Sequence, residues 1–275
     1  DQLKEEILPG IVGGTVYAIA MSEPEAGSDV GSLTTFAEPD GDGFVLNGQK
    51  VFCSNAHISD HVLVVCRTTR GPDKHEGLTM IWVPRDADGM EVVPIDTMGG
   101  RETNHLYLTD CFAPASAVLG EVDQGWTQLM AGLNVERLIL AATMLGIAQR
   151  VFDDVIVYVK ERKQFGRPIG SFQSLQHRLA DMATELEAAR LMTRWVATMT
   201  DEDPGRMLPR EASMVKLYVT EVAKRAALDG MQMMGGYGYS SEYDMERLVR
   251  TSLVSTIYGG TSEIQRNIIA KTLGL

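Results

Sequence analysis

Residues 129–159 read LMAGLNVERLILAATMLGIAQRVFDDVIVYV, and no proline occurs between Pro114 and Pro168. Apolar side chains recur at Leu129, Leu133, Leu140 and Ile147, then at Val151, Val155 and Val159. That recurrence is one face of a long helix. Toward the C-terminus, Gly170-Ser171 open a second helix with Leu175, Leu179, Met182, Leu186, Ala189 and Val196 near 4-3-4-3 spacing. Pro204-Gly205 stop it. Pro209 suits the first turn of a third helix running to Met234 before Gly235-Gly236. The spacing predicts a fourth helix over 241–257 and a short fifth after Gly259-Gly260. Long helices with near-heptad stripes and short links predict an antiparallel bundle.

On the other side of the opening stretch the pattern changes. From Gly14 to about Pro114 the segments are short, β-branched and divided by turn chemistry. Asn47-Gly48, between Phe44–Leu46 and Lys50–Cys53, is a strong two-residue hairpin signal. Runs at His61–Arg67, Leu78–Pro84, Met90–Pro94 and His105–Leu108 follow without intervening helices. Such spacing predicts an antiparallel barrel or sandwich. The expected class is therefore α+β, with a boundary near Gly120–Gly125.

Charge follows the same division. Residues 1–123 hold 7 Lys and Arg against 20 Asp and Glu, whereas 124–275 hold 18 against 17. The formal net charge of −12 over 275 residues argues against a partner held by phosphate neutralisation, such as nucleic acid. An apolar share of 44% supports a real core and excludes disorder. No apolar run reaches the ~20 residues of a membrane span without Arg or Glu within a turn. Three cysteines without CxxC spacing (Cys53, Cys66, Cys111) point to a reducing compartment. The chain opens on DQLKEEILPG without Met, which reads as a start inside a larger protein.

Several constellations carry chemistry or its ordinary alternative. His57 and His61 are four apart but lie in loop and strand with no further ligand, so no metal site is expected. There is neither a P-loop nor a GxGxxG after a strand. Met21–Asp29, MSEPEAGSD, is either a turn or a small, hydroxyl-bearing loop that a ligand approaches closely. Glu136 sits on the apolar stripe, where desolvation raises a carboxylate toward general-base range unless a neighbour such as Arg137 satisfies it. Arg162–Arg167 offers either helix C-terminal cations or a phosphate clamp. Gly235–Gly238 reads as a helix cap, and Gly259–Glu263 places mobile backbone before a capped N-terminus suited to an anion or a polarised carbonyl.

In order along the chain, AMSEPEAGSD (20–29), GQKVFCSN (48–55), ERKQFGRPIGSFQ (161–173), DGMQMMGGYGY (229–239) and IYGGTSEIQR (257–266) resemble the acyl-CoA dehydrogenases. The resemblance covers essentially the whole chain. It implies the end of an N-terminal helical domain at 1–13, a β-barrel-like middle domain at 14–123 and a C-terminal antiparallel four-helix bundle at 124–275. It also implies FAD. Met21, Ser22, Gly27, Ser28, Phe52 and Ser54 match positions around the flavin ring and the thioester. Arg162, Phe165, Gln173, Gln232, Gly235 and Gly236 match those holding the pyrophosphate and adenosine half across a subunit interface, which implies a homotetramer. Thr261 and Glu263 match cofactor contacts.

Many members of that family carry the catalytic glutamate in Tyr-Glu-Gly-Thr, where this chain has Tyr258-Gly259-Gly260-Thr261. GLNVERLILA (132–141) instead resembles the isovaleryl-CoA and long-chain type, whose base is borne on the helix, and its glutamate falls on Glu136. The same resemblance assigns the substrate to Ser28, Asn134, Arg137, Gly259 and Gly260. It implies α,β-dehydrogenation of an acyl-CoA, with hydride passing to flavin N5 and electrons to an electron-transfer flavoprotein. A bare glycine at 259 suggests room for a branched acyl group. A flavin-binding but non-catalytic subunit and an acyl-CoA oxidase are the competing expectations. The compartment would be cytoplasm in a bacterium, or mitochondrial matrix in a eukaryote.

Overall fold

The computed structural model describes residues 2–275, which divide into two compact units: residues up to Met130, and Ala131 to Leu275. The first opens with α1 (Gln2–Gly13) and continues into seven strands: β1 (Tyr17–Ala20), β2 (Phe36–Asp40), β3 (Gly43–Ser54), β4 (His61–Arg67), β5 (Leu78–Pro84), β6 (Met90–Thr97) and β7 (Gly100–Pro114). They form one curled sheet in the order β1-β4-β2-β3-β7-β6, with β5 on the other edge of β4.

The expected antiparallel barrel is replaced by a mixed, open sheet. β1 runs parallel to β4, with Tyr17 opposite His61, and β2 meets β4 in parallel at Phe36 and Arg67. Parallel neighbours need a long crossover, usually a helix. Here the β2–β3 hairpin is that crossover, so the absence of helices did not enforce antiparallel pairing. β5 and β6 do not pair with each other; isolated bridges from Val118 and Gln124 cover β5.

Asn47-Gly48 is likewise not a turn. β3 runs straight through it for 12 residues, with a register shift between Leu46 and Gly48. A Cβ at Gly48 would collide with Thr35, and Asn47 Oδ1 accepts from the Asp110 N–H at 2.9 Å. The glycine therefore serves a bulge and a close strand approach, which share the hairpin's sequence signal. The hairpin lies at Asp40–Gly43 instead. Ala18, Ala20, Leu46, Val62, Val64, Ile81, Leu106 and Leu108 fill the interior, and all three cysteines are buried free thiols.

The remaining chain is helical: α2 (Gly125–Glu161), a two-residue hairpin of β8 (Lys163–Gln164) and β9 (Arg167–Pro168), α3 (Gln173–Glu202), α4 (Pro209–Met234), the one-turn α5 (Gly236–Tyr239), α6 (Met245–Val254) and α7 (Ser262–Thr272). Among the described residues α4 stands at the centre, with α3, α6 and α7 packed on it and Val151 and Val155 of α2 against Gly230. Small residues explain that position. Ala212, Ser213, Ala223, Ala226 and Ala227 are buried, and a Cβ at Gly230 would stand 2.8 Å from Val151 and 3.2 Å from Met245. The α3 stripe of Leu179, Met182, Leu186, Ala189 and Val196 is buried as its spacing requires.

Helix α2 is long and apolar enough to cross a membrane by length and composition, although the charges within it predict no such span. Its Ala141, Met144, Ala148, Val151, Val155 and Val159 instead join the core of the helical unit. In its first half the deepest line is Asn134, Arg137, Ala141, Met144 and Ala148, while Leu133, Glu136 and Leu140 are half-buried beside it. A search for bulky apolar residues sees the margin rather than the centre.

Candidate active site

Glu136 stands on α2 one residue from a deeply buried pair, Asn134 and Arg137, set three apart on one helical face. Its carboxylate makes no hydrogen bond or ion pair with any described residue. Burial raises its affinity for a proton above the usual carboxylate range, and the charges of Arg137 and Lys216 offset only part of that. Asn134 Oδ1 and Arg137 Nε are buried without partners, as are Ser213 Oγ and Ser262 Oγ. Buried polar atoms are nearly always satisfied, so several orphans in one unit beside an unpaired carboxylate mark a place for a polar ligand.

Within electrostatic reach of this carboxylate is Lys216 of α4, fully buried. Its Nζ donates to the Gly260 carbonyl at 2.7 Å, and Gln265 Nε2 donates to the Gly259 and Gly260 carbonyls at 3.0 and 2.9 Å. Burial, then the Arg137 charge, push the ammonium down to about 8 against the pull of Glu136 and Glu263. Gly259 and Gly260 have φ of +60° and +83°. Their N–H groups find no acceptor among the described residues. A left-handed glycine pair with both carbonyls held on one side leaves donors for an anionic oxygen. The space expected beside Gly259 is not empty, since a Cβ there would fall against Leu140 Cδ1. Thr261 caps α7 by accepting from the Ile264 N–H at 3.2 Å, and Glu263 stands exposed in the first turn.

In the sheet unit the MSEPEAGSD loop is anchored from within. Glu23 is buried and accepts from the Thr34 N–H (2.6 Å), the Thr34 hydroxyl (2.8 Å), the Thr35 N–H (2.8 Å) and Lys50 Nζ (2.9 Å). Lys50, fully buried, also donates to the Met21 carbonyl at 3.0 Å, and the Val51 N–H donates to the Ser22 carbonyl. Met21 and Ser22 are thus tied to β3 through their backbones. Gly27 and Ser28 are exposed beyond them, and a Cβ at Gly27 would meet nothing within 4 Å. A second bulge between Lys50 and Cys53 turns Phe52 outward with φ +59°, 65% exposed, next to the exposed Ser54. A bulky residue in the left-handed region is strained, and such strain gathers at binding sites.

Phe165 repeats that feature in the helical unit, at φ +52° and 93% exposed, edge-on to Phe172. Arg162 lines a cleft of about 550 Å³ with Tyr158, Gly235, Gly236 and Tyr237. Its guanidinium carbon lies 5.5 Å from the Tyr237 ring centroid, and no carboxylate of the described residues pairs with it. Neither Gly235, at φ +62°, nor Gly236 would place a Cβ within 4 Å of any atom. Phe165 and Gln232 line an adjoining cleft of about 460 Å³ with Arg178 and Ser174, next in sequence to the exposed Gln173. An unneutralised guanidinium, open glycine backbone and an uncovered aromatic fit the pyrophosphate and adenine of FAD. Lys50, Lys216 and Gln265 are not singled out in the sequence, and Leu140 stands there only as part of the apolar stripe. The signal for Lys216 was its place among Ala212, Val219, Thr220 and Ala223, on a face with no other charge.

Comparison with known proteins identifies the family. Residues 18–111 match the acyl-CoA dehydrogenase middle-domain family, and 123–274 match the acyl-CoA dehydrogenase C-terminal domain. A 3-(aryl)acrylate reductase of Clostridium sporogenes is 40% identical over 99% of this chain and 73% of its own. A caffeyl-CoA reductase-Etf complex subunit of Acetobacterium woodii is 37% identical over 99% of this chain and 72% of its own. The crystal structure of an acyl-CoA dehydrogenase from Geobacillus kaustophilus superposes with a TM-score of 0.95 at 38% identity, covering all of this chain and 73% of that one. The chain belongs to the acyl-CoA dehydrogenase family, FAD-dependent oxidoreductases acting on CH–CH groups.

Proposed function

We propose that the protein dehydrogenates an acyl-CoA thioester to its 2-enoyl-CoA and that Glu136 removes the α-proton. The observation that carries this reading is a half-buried carboxylate with no partner among the described residues, one turn from the Leu140 that packs against Gly259, together with two glycine N–H groups that find no acceptor among those residues. The donors of Gly259 and Gly260 stabilise negative charge on the thioester oxygen, which acidifies the α-carbon. Desolvation keeps Glu136 a stronger base than a solvated carboxylate. Asn134 and Arg137, with their orphaned polar atoms, orient the substrate's polar groups. Bound FAD supplies the two-electron acceptor for the β-hydrogen. Met21, Ser22, Gly27, Ser28, Phe52 and Ser54 would hold its ring, Arg162, Phe165, Gln173, Gln232, Gly235 and Gly236 its diphosphate and adenosine, with Thr261 and Glu263 as further contacts.

The near-complete exposure of Phe165 supports completion of that site by a second subunit in a homotetramer. Electrons leave to an electron-transfer flavoprotein, a reading supported by the Etf complex of the Acetobacterium relative. The same residues would serve the reverse reduction, as both relatives named as reductases suggest. Glu136→Gln tests the assignment. Turnover of an acyl-CoA panel with an artificial acceptor should fall by about 10²–10⁴, with FAD content and acyl-CoA binding retained. Turnover near wild type would remove Glu136 from the mechanism, and peroxide formed in step with product would make the enzyme an oxidase.

A further inference from the structure

Lys216 is a costly residue where it stands. Its side chain is fully buried, yet no carboxylate of the described residues lies within ion-pair distance, and the one hydrogen bond it makes with those residues is to the Gly260 carbonyl. A buried charge without a close counter-ion normally destabilises a fold, and an apolar side chain of the same length would fill the space at less cost. The stem lies under the glycine loop: a Cβ at Gly259 would be 3.9 Å from Lys216 Cε. Glu136 and Arg137 of α2 and Glu263 of α7 lie within electrostatic reach, and Tyr258 of the loop faces Glu136. In a trans peptide the carbonyl and the next N–H point to opposite sides. With the Gly259 and Gly260 carbonyls drawn toward Lys216 and Gln265, the Gly260 and Thr261 N–H groups are turned to the opposite face, and the Gly260 N–H is one of the two donors proposed for the thioester oxygen.

We propose that Lys216 is a positioning residue for the reaction, holding the Gly259–Gly260 loop by the Gly260 carbonyl while its positive charge favours the ionised form of Glu136. The inference rests on Glu136 being the base. It assigns the lysine a double task of which Gln265, a neutral donor to the Gly260 carbonyl and to that of Gly259, performs only the first half.

The test uses the holoenzyme and a CoA thioester whose β-carbon is replaced by sulfur. Its α-proton can be removed but no hydride can leave, so exchange of the α-hydrogens with D2O, followed by NMR, isolates the proton step from oxidation. In wild type the exchange rate falls on the acid side as Glu136 is protonated. Lys216→Gln keeps a donor for the carbonyl and removes the charge. Its acid limb should move up by about one pH unit, a tenfold slower exchange below it, whereas Lys216→Arg should hold the limb at the wild-type position. Gln265→Met loosens the loop without touching charge, so it should slow exchange and leave the limb where it is. An acid limb unmoved in Lys216→Gln, or one moved equally in Lys216→Arg, overturns the proposal. Glu136→Gln in the same assay keeps the two readings apart: exchange that persists there defeats the base assignment, and exchange lost there with an unmoved limb in Lys216→Gln defeats only the role of Lys216.

Discussion

Each unit of the molecule buries one lysine in the neighbourhood of a glutamate, and the two arrangements differ in a way that separates scaffold from chemistry. In the sheet unit Glu23 and Lys50 are closed on each other at 2.9 Å, and the carboxylate takes three further donors from Thr34 and Thr35. Burial alone would raise Glu23, but Lys50 and the threonine donors outweigh it and bring the carboxyl down to about 2. In the helical unit Lys216 spends its hydrogen bond on a glycine carbonyl, and Glu136 is left with none. There the shift is upward. A satisfied carboxylate is inert and fixes a loop; an unsatisfied one is basic and waits for a proton.

The largest effect expected from this contrast is on folding of the sheet unit. Lys50→Met leaves Glu23 a buried charge with no counter-ion, and breaking such a pair costs roughly 3–5 kcal/mol. Denaturant unfolding should record that loss in Lys50→Met. Because Glu23 is depressed in the folded state, its contribution is complete above about pH 4.5 and fades as pH falls toward about 2. Glu23→Gln should flatten stability across that window. Glu136 has the opposite sign: its raised affinity for protons means that ionisation at neutral pH opposes folding, so Glu136→Gln should leave stability equal or higher. A Glu136→Gln protein as unstable as Lys50→Met would erase the distinction.

That contrast also explains what the sequence could tell. Glu136 was visible because a carboxylate interrupts an apolar stripe, and local periodicity exposes such a break. Lys50, between Gln49 and Val51, looks like any lysine on a strand, and only the return of the loop bearing Met21 and Glu23 onto β3 puts a carbonyl and a carboxylate on its ammonium. The limits of α4, Pro209 and Met234, are punctuated by proline and glycine and were legible. The fourth helix was read too long, at 241–257 against Met245–Val254, because the turns on both sides carry helix-like apolar spacing. Asn47-Gly48 was misread because a bulge and a hairpin ask for the same left-handed or extended glycine, and the choice lies in Thr35, a dozen residues away. Parallel pairing of β1 with β4 is a long-range fact with no local mark.

Arg162 extends the comparison to a cation that no carboxylate of the described residues pairs with. If its partner is a diphosphate, Arg162→Ala removes a charge-assisted hydrogen bond worth about 1.5–3 kcal/mol, or ten- to a hundredfold in FAD affinity. Equilibrium retention of FAD, read by flavin fluorescence on dilution, should weaken by that factor while unfolding of the helical unit is unchanged. Flavin held as tightly as in wild type would mean that Arg162 serves only the C-terminal dipole of α2 and the Tyr237 ring.

The smallest gain, and the finest test of the contrast, comes from returning a carboxylate to the loop. Glu136→Gln with Gly259→Glu places a glutamate where many relatives keep one, but two features of this chain oppose it. Gly259 lies at φ +60°, a region that costs a side-chain-bearing residue about 1–3 kcal/mol, and its Cβ would fall against Leu140 Cδ1. The new Cβ would also stand 3.9 Å from Lys216 Cε, close enough for the carboxylate to reach the ammonium. Such closure would make a second Glu23–Lys50 pair, ionised and weakly basic. The double variant should therefore regain only a fraction of the lost turnover, roughly five- to a hundredfold short of wild type. Adding Leu140→Ala should raise that fraction by relieving the collision. Full recovery in the double variant, with Leu140 intact, would show that the loop relaxes freely and that Lys216 does not capture the new carboxylate.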